Sequence, residues 1–262
     1  HAAEASPSIW RAGMPGREKS KRIFNDPNST SPDVHLLSNG NYSVMISGTG
    51  AGYSQWREIA VTRWHGDITR DNDGQFFFLR DLDSDDVWSA GYQPVCKDAE
   101  IYQAIFQGSK AEFWSTVLGI DAHTEVVVSP EDDVELRSIS LTNHSSIRRK
   151  IELTSYAEVV LTVRAADTIH PAFSNLFVET KILPKRSAIL CTRRQRSKDE
   201  KTLWMLHQMA AEDVDADLIS FETDRSRFIG RGRTVANPVA MTGAIGLSNS
   251  DGFVLDPIVS IR

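Results

Sequence analysis

An all-β fold, one large antiparallel β-sandwich with little helix, is predicted for this chain by three features of its sequence. Short β-rich runs recur between clusters of turn residues at intervals of about 8–12 positions, the texture of a sandwich or barrel. In Val134-Glu135-Leu136-Arg137-Ser138-Ile139-Ser140-Leu141 apolar and polar residues alternate at a period near two, which buries one face and wets the other. Helical patterning is confined to residues 224–228 and a weak segment at 212–218.

The elements follow in chain order. Residues 1–32 are rich in Pro, Ser, Lys, Arg and Asn, and their large apolar groups are Ile9, Trp10, Met14, Ile23 and Phe24. They read as a linker or an arm laid across a neighbour, preceding a sandwich domain over 33–262. Two sheets of that length bury enough surface to stand alone. Asn39-Gly40 forms a hairpin turn into a strand at 42–46. Residues 76–80, 81–86 and 87–90 read as strand, acidic turn, strand. Residues 101–106 and 111–117 pair through Gly108-Ser109-Lys110. Strands at 123–128 and 134–142 are joined by Ser129-Pro130-Glu131-Asp132-Asp133. Residues 143–147 turn into a strand over 148–160, and a strand over 173–183 turns through 184–186 into 188–193. Gly48-Thr49-Gly50-Ala51-Gly52 lacks the lysine and the following helix of a phosphate loop. Its glycines instead let backbone approach closely, at a tight bend or under a ligand.

Bulk properties narrow the function. A net charge of −6 argues against nucleic acid as a partner, because phosphate binding needs a basic excess. The basic clusters at 148–150 and 193–198 read as solvated turns or edges. No apolar run approaches the roughly 18 residues of a membrane helix, so no direct membrane insertion is expected of this segment. No signal peptide is visible in the first 30 residues. Cys96 and Cys191 lie far apart, in or beside strands, and read as buried thiols of a reducing compartment. The cytoplasm is the expected location, or the soluble part of an inner-membrane protein.

The stretch 38–93 holds the best site candidates. It places Tyr53, Trp56, Trp64, Trp88 and Tyr92 among Arg57, Arg63, Asp67 and Arg70. Flat rings suit the C–H faces of pyranoses, while Arg and Asp hydrogen-bond adjacent hydroxyls. Trp64, Asp67 and Arg70 fall on a turn-like segment between strands, where binding residues concentrate. The plainer alternative is that Trp on a strand is core and that Arg–Asp pairs join domains. Two other carboxylate groups, Glu131-Asp132-Asp133 and Asp83 to Asp86, suit turn capping better than paired acid–base chemistry. Asp71-Asn72-Asp73-Gly74 lacks the downstream Glu of a calcium loop and is read as a turn. The histidines show no metal spacing. No cofactor and no catalytic residue is assigned.

Several motifs resemble a known family. Ser38 to Gly40 with Gly52-Tyr53-Ser54, Arg63-Trp64 with Asp67, and Leu79-Arg80-Asp81 with Trp88-Ser89 are similar to the N-terminal sandwich of glycoside hydrolase family ninety-four, formerly glycosyltransferase family thirty-six. Further matches point to its cyclic β-1,2-glucan synthase branch. They are Val128-Ser129-Pro130-Glu131-Asp132-Asp133, Thr154-Ser155-Tyr156-Ala157-Glu158, the run from His170 to Val178, Thr223-Asp224-Arg225, the run from Phe228 to Gly232, and Leu255-Asp256-Pro257. The resemblance covers 33–262. It implies a super-sandwich related in shape to galactose-mutarotase-like folds, followed in the family by an (α/α)6 helical barrel that carries the catalytic acid. This chain is expected to lack that barrel and so to be inactive by itself. The partners implied are the barrel, a β-glucan or gluco-oligosaccharide, and a second subunit in a homodimer.

Two alternatives stand beside this expectation. One is a free-standing carbohydrate-binding module. The other is a mutarotase-type aldose epimerase drawing its acid and base from His170, Glu179, His65 and Glu58, an analogy of fold rather than of site.

Overall fold

Backbone register gathers the strands into three antiparallel sheets. The computed structural model describes residues 21–67, 69–195, 201–211, 219–243 and 246–262. The first sheet runs in the order β1 (Arg22–Phe24), β8 (Ile101–Gln107), β9 (Lys110–Val117), β10 (Ile120–Val128) and β11 (Glu135–Asn143). The second begins β16 (Phe221–Asp224), β18 (Pro257–Ile261), β12 (Ile151–Val163) and continues β5 (Ile59–Thr62), β4 (Gly52–Trp56), β3 (Tyr42–Ser47), β2 (Val34–Ser38). β6 (Phe76–Asp81) also pairs with β12, and β7 (Val87–Ser89) with β6. The third sheet is β15 (Leu203–Gln208), β14 (Ala188–Arg193), β13 (Val178–Leu183) and β17 (Gly252–Phe253).

Each layer contact is an alternation pattern made physical. The first sheet turns Tyr102, Ala104, Phe106, Ala111, Phe113 and Val126 inward, onto Leu37, Tyr42, Val44, Ile46 and Val61 of the second. Farther along, Val117, Ile120 and Ala122 meet Leu79, Trp88 and Ala90. The third sheet closes on β12, β16 and β18 through Val178, Ile189 and Cys191 against Val159, Leu161, Phe221 and Val259. Burying such a side chain contributes about 1.5–3 kcal/mol, so these interfaces supply the main cohesion.

β12 is the spine. Its first half pairs with β6, Ala157 and Glu158 pair with β18, and Val159 to Val163 pair with β5. A register shift between Val159 and Thr162, with Leu161 at a φ of 54°, bends the strand where it changes partners. Helix is scarce: α1 (Arg164–Ile169) and α2 (Pro171–Asn175) follow β12, and α3 (Arg225–Ile229) follows β16.

The all-β expectation holds, and the predicted strands at 42–46, 76–80, 101–106, 111–117 and 188–193 form. Helix formation near 224–228 also holds, with Asp224 as N-cap accepting from the Ser226 N–H at 2.8 Å. The segment at 212–218 lies outside the described residues. The strand expected over 173–183 begins only at Val178, because Pro171 starts α2, where a missing N–H costs nothing. Residues 21–32, the described part of the stretch read as an arm, include β1, whose Phe24 packs 5.4 Å from Phe106. Cys191 is buried as expected, but Cys96 is exposed. Arg193 is not a solvated turn residue: it is 4% exposed and donates to the Ser174 carbonyl at 3.0 Å.

Candidate functional site

The nine residues singled out from sequence divide among five places. Tyr53 and Trp64 come together as a tilted pair with centroids 5.6 Å apart. Arg164, from the first turn of α1, stands 4.2 Å from the Tyr53 ring centroid and donates to Gln55 Oε1 at 3.2 Å. Asp67 accepts from the Thr69 N–H and hydroxyl at 2.9 and 2.7 Å, and Arg70 lies 3.6 Å away, both exposed at the tip of the same loop. The Thr69 hydrogen bonds hold the Asp67 carboxyl below its ordinary value.

Glycine makes that loop fit. A Cβ on Gly52 would collide with the Met45 carbonyl, so only glycine lets β4 cross here. The Gly52 N–H then donates to the Asp73 carbonyl at 2.8 Å, pulling the loop onto the sheet. Asp73 holds His65 at 2.8 Å, and Asp71 accepts from Thr49 and Ser47. Burial raises the Asp71 carboxyl despite those donors. The glycine run therefore serves close backbone approach, as expected, and the acidic loop residues serve its local bonds.

The other aromatic candidates stand elsewhere. Trp88 is 1% exposed in the core between the first two sheets and has no face for a ligand. Trp56 donates to Asp133 at 2.6 Å beneath Arg57, whose guanidinium lies 4.8 Å from the ring centroid. Tyr92 donates to Asn28 at 2.9 Å and packs edge-on to Tyr102.

Arg63 leads to a densely connected group. It is 6% exposed and reaches Glu158 on β12 at 3.0 Å, Asp167 on α1 at 3.2 Å and Asn175 on α2 at 2.8 Å. Asn175 donates onward to Asp256 at 3.0 Å. Arg225, at the start of α3, reaches Glu158 at 2.6 Å and Asp256 at 3.6 Å, and Tyr156 donates to Glu158 at 2.9 Å. Six chain segments thus meet at one corner. The side chains of Arg225 and Asp256 remain 38% and 35% exposed, so the network opens outward there.

Electrostatics at this corner follow from burial set against pairing. Burial raises the Asp167 carboxyl, with Arg63 opposing it, and burial raises Asp256, with Glu158 adding to the rise. For Arg225 burial works against the charge, but Glu158 and Tyr156 overcome it and hold the guanidinium above its ordinary value. Deleting one member would leave a buried charge unpaired.

Glu158, Asn175, Arg225 and Asp256 were not among the predicted site residues. Their signal was nonetheless present, because each lies in a segment that carried the family resemblance. The epimerase candidates are not drawn together. His65 pairs with Asp73, Glu58 is in the β4–β5 turn, and Glu179 stands exposed on β13. Among the described residues, no hydrogen bond or ion pair joins any two of His170, Glu179, His65 and Glu58.

Comparison with known proteins accounts for the converging motifs. The family model described as Glycosyl hydrolase 94, supersandwich domain, matches residues 17–262. This chain belongs to glycosyl hydrolase family ninety-four. It is 41% identical over 241 residues to the cyclic β-(1,2)-glucan synthase NdvB of Rhizobium meliloti. It is 28% identical over 224 residues to the N,N'-diacetylchitobiose phosphorylase of Vibrio proteolyticus, and a shorter 87-residue match at 30% relates it to the solabiose phosphorylase of Paenibacillus borealis. The match covers 92% of this chain but only 8% of the synthase, and 84% of this chain but 27% of the chitobiose phosphorylase. It is a small portion of larger relatives. Among the described residues, no helix is long and apolar enough to cross a membrane.

Proposed function

We propose that this chain is the non-catalytic sandwich domain of a cyclic β-1,2-glucan synthase or glycoside phosphorylase-like protein. Residues 1–32 are its linker or arm and 33–262 its sandwich. It acts as scaffold and docking surface for a helical-barrel catalytic domain, and its Tyr53–Trp64 rim, with Asp67 and Arg70 at the loop tip, contacts the glucan. The carrying observation is the convergence at Arg63 of segments from β5, β12, α1, α2, α3 and the loop before β18. A corner that joins so many segments and still exposes Arg225 and Asp256 is suited to pairing with a polar partner surface, as interdomain contacts are.

Hydrogen exchange of the chain alone and within its full-length protein tests the docking. Slower exchange at residues 64–74 and 225–232 in the full-length protein is expected. Equal exchange there, with protection elsewhere, would remove the docking role. A second assay supplies β-1,2-gluco-oligosaccharides and phosphate to the isolated chain, and release of sugar phosphate above a blank would overturn the non-catalytic assignment.

A further inference from the structure

The outward face of the five-stranded sheet is unclaimed by anything above. Register alone aligns Gln103, Trp114, His123 and Ser140 in one row across β8, β9, β10 and β11. Strands lie about 4.8 Å apart, so that row is about 14 Å long. Trp114 is 40% exposed at its centre. Single exposed rings are ordinary on protein surfaces. What distinguishes Trp114 is its setting.

His123 stacks on Trp114 with centroids 3.8 Å apart and planes 16° from parallel. The imidazole is itself anchored, its Nε2 3.2 Å from Glu112. Glu112 is held by Lys110 at 2.8 Å, and Lys110 also reaches Glu125 at 2.9 Å. The indole is therefore fixed before any ligand arrives, which lowers the ordering cost of binding. On its other flank Gln103 donates to Asn25 at 3.0 Å, a carboxamide pair with both donor and acceptor capacity left over. Thr116, donating to Asp121 at 2.7 Å, flanks the row on the neighbouring rung.

We infer that this face is a second glycan-binding platform, with Trp114 stacking on a pyranose of a neutral hexose chain and Gln103 and Asn25 binding its hydroxyls. Charge selects the neutral class. Glu112 and Glu125 pair with Lys110, and Asp121 lies 2.7 Å from His144, so the pairs close within the surface, which repels phosphate or sulfate and leaves no strong field for a cation. A protein partner would need a dry centre of several apolar groups, whereas this centre is one ring among amides, acids and hydroxyls, with the exposed Ile101 and Leu136 standing apart near the strand ends. The platform is independent of the docking reading, since it lies on a different sheet from the Tyr53–Trp64 rim.

Calorimetry on the whole chain decides it, with β-1,2-, β-1,3- and β-1,4-linked gluco-oligosaccharides as probes. Saturable binding of at least one probe is expected, weakened by Trp114→Ala by about tenfold, the ratio that about 1.4 kcal/mol of ring contact sets. Gln103→Ala should weaken it less, and both variants should melt with the parent. Trp64→Ala should remove only the heat of the Tyr53–Trp64 rim and leave the Trp114-dependent component in place. No heat with any probe at millimolar sugar would overturn the platform. So would binding that survives Trp114→Ala and Gln103→Ala but is lost in Trp64→Ala, and that result would leave the Tyr53–Trp64 contact standing.

Discussion

The Arg63 corner and the Trp114 face are both contact surfaces, but they are built by opposite means. At the corner, charged and polar side chains from six segments satisfy one another, and the segments depend on the charges. On the face, neighbouring strands set a row of side chains side by side, and the sheet beneath does not depend on what the row contains. Residues at the first place therefore mix stability with recognition. At the second the two separate cleanly.

The largest test of that difference is Arg63→Met. Removing one partner of a buried charge network costs about 3–5 kcal/mol, so urea unfolding should show a loss of that order with a lowered midpoint. A loss under about 1 kcal/mol would mean that the corner is not interdependent. Next in size is acid. His207, 8% exposed on the inner side of β15 and 2.9 Å from the Ser155 hydroxyl, is pushed down to about 4 by burial. Its folded form favours the neutral ring. That contribution is complete above the ordinary value near 6.5 and is lost as pH falls toward 4, about 3 kcal/mol in all. Unfolding followed across that window should show the slope, and His207→Asn should flatten it.

Smaller still is Trp114→Ala, for which stability should stay within about 0.5 kcal/mol while glycan affinity falls. A destabilisation above about 2 kcal/mol would show the face to be part of the fold, and the contrast would collapse. Least of all, Arg70→Ala and Asp67→Ala at the exposed loop tip should leave the melting temperature within error of the parent. Any effect they have should register only in the full-length protein, in its activity or exchange pattern.

Much of the fold was legible because a strand announces itself locally. The Asn39-Gly40 turn needed only near neighbours and appears as read. The strand in 134–141 also forms, but its faces are reversed: Val134, Leu136 and Leu141 are exposed, while Glu135 and Arg137 turn inward and pair at 2.9 Å. The helices after β12 were not legible, since α1 and α2 are short and are held by contacts from afar, as when Arg193 binds the Ser174 carbonyl. The site divided in the same way. Tyr53 and Trp64 belonged together, but Trp88 resembled them in composition and lies in the core. Residue type alone carries no information on which face of a strand meets water.

The order of residues by itself determined an all-β chain, its hairpins, its family and the segments that matter, because alternation, turn chemistry and motif identity are properties of neighbours along the chain. Only the tertiary structure decided that Glu158, Asn175, Arg225 and Asp256 are partners of Arg63, and that Gln103, Trp114 and His123 form one row. The row follows from strand register across successive hairpins, whereas the partners of Arg63 depend on β12 and its bend at Leu161, which bring together groups far apart along the chain. Such pairings are set by how whole sheets pack and by which charges can be buried together, and no window of sequence contains them.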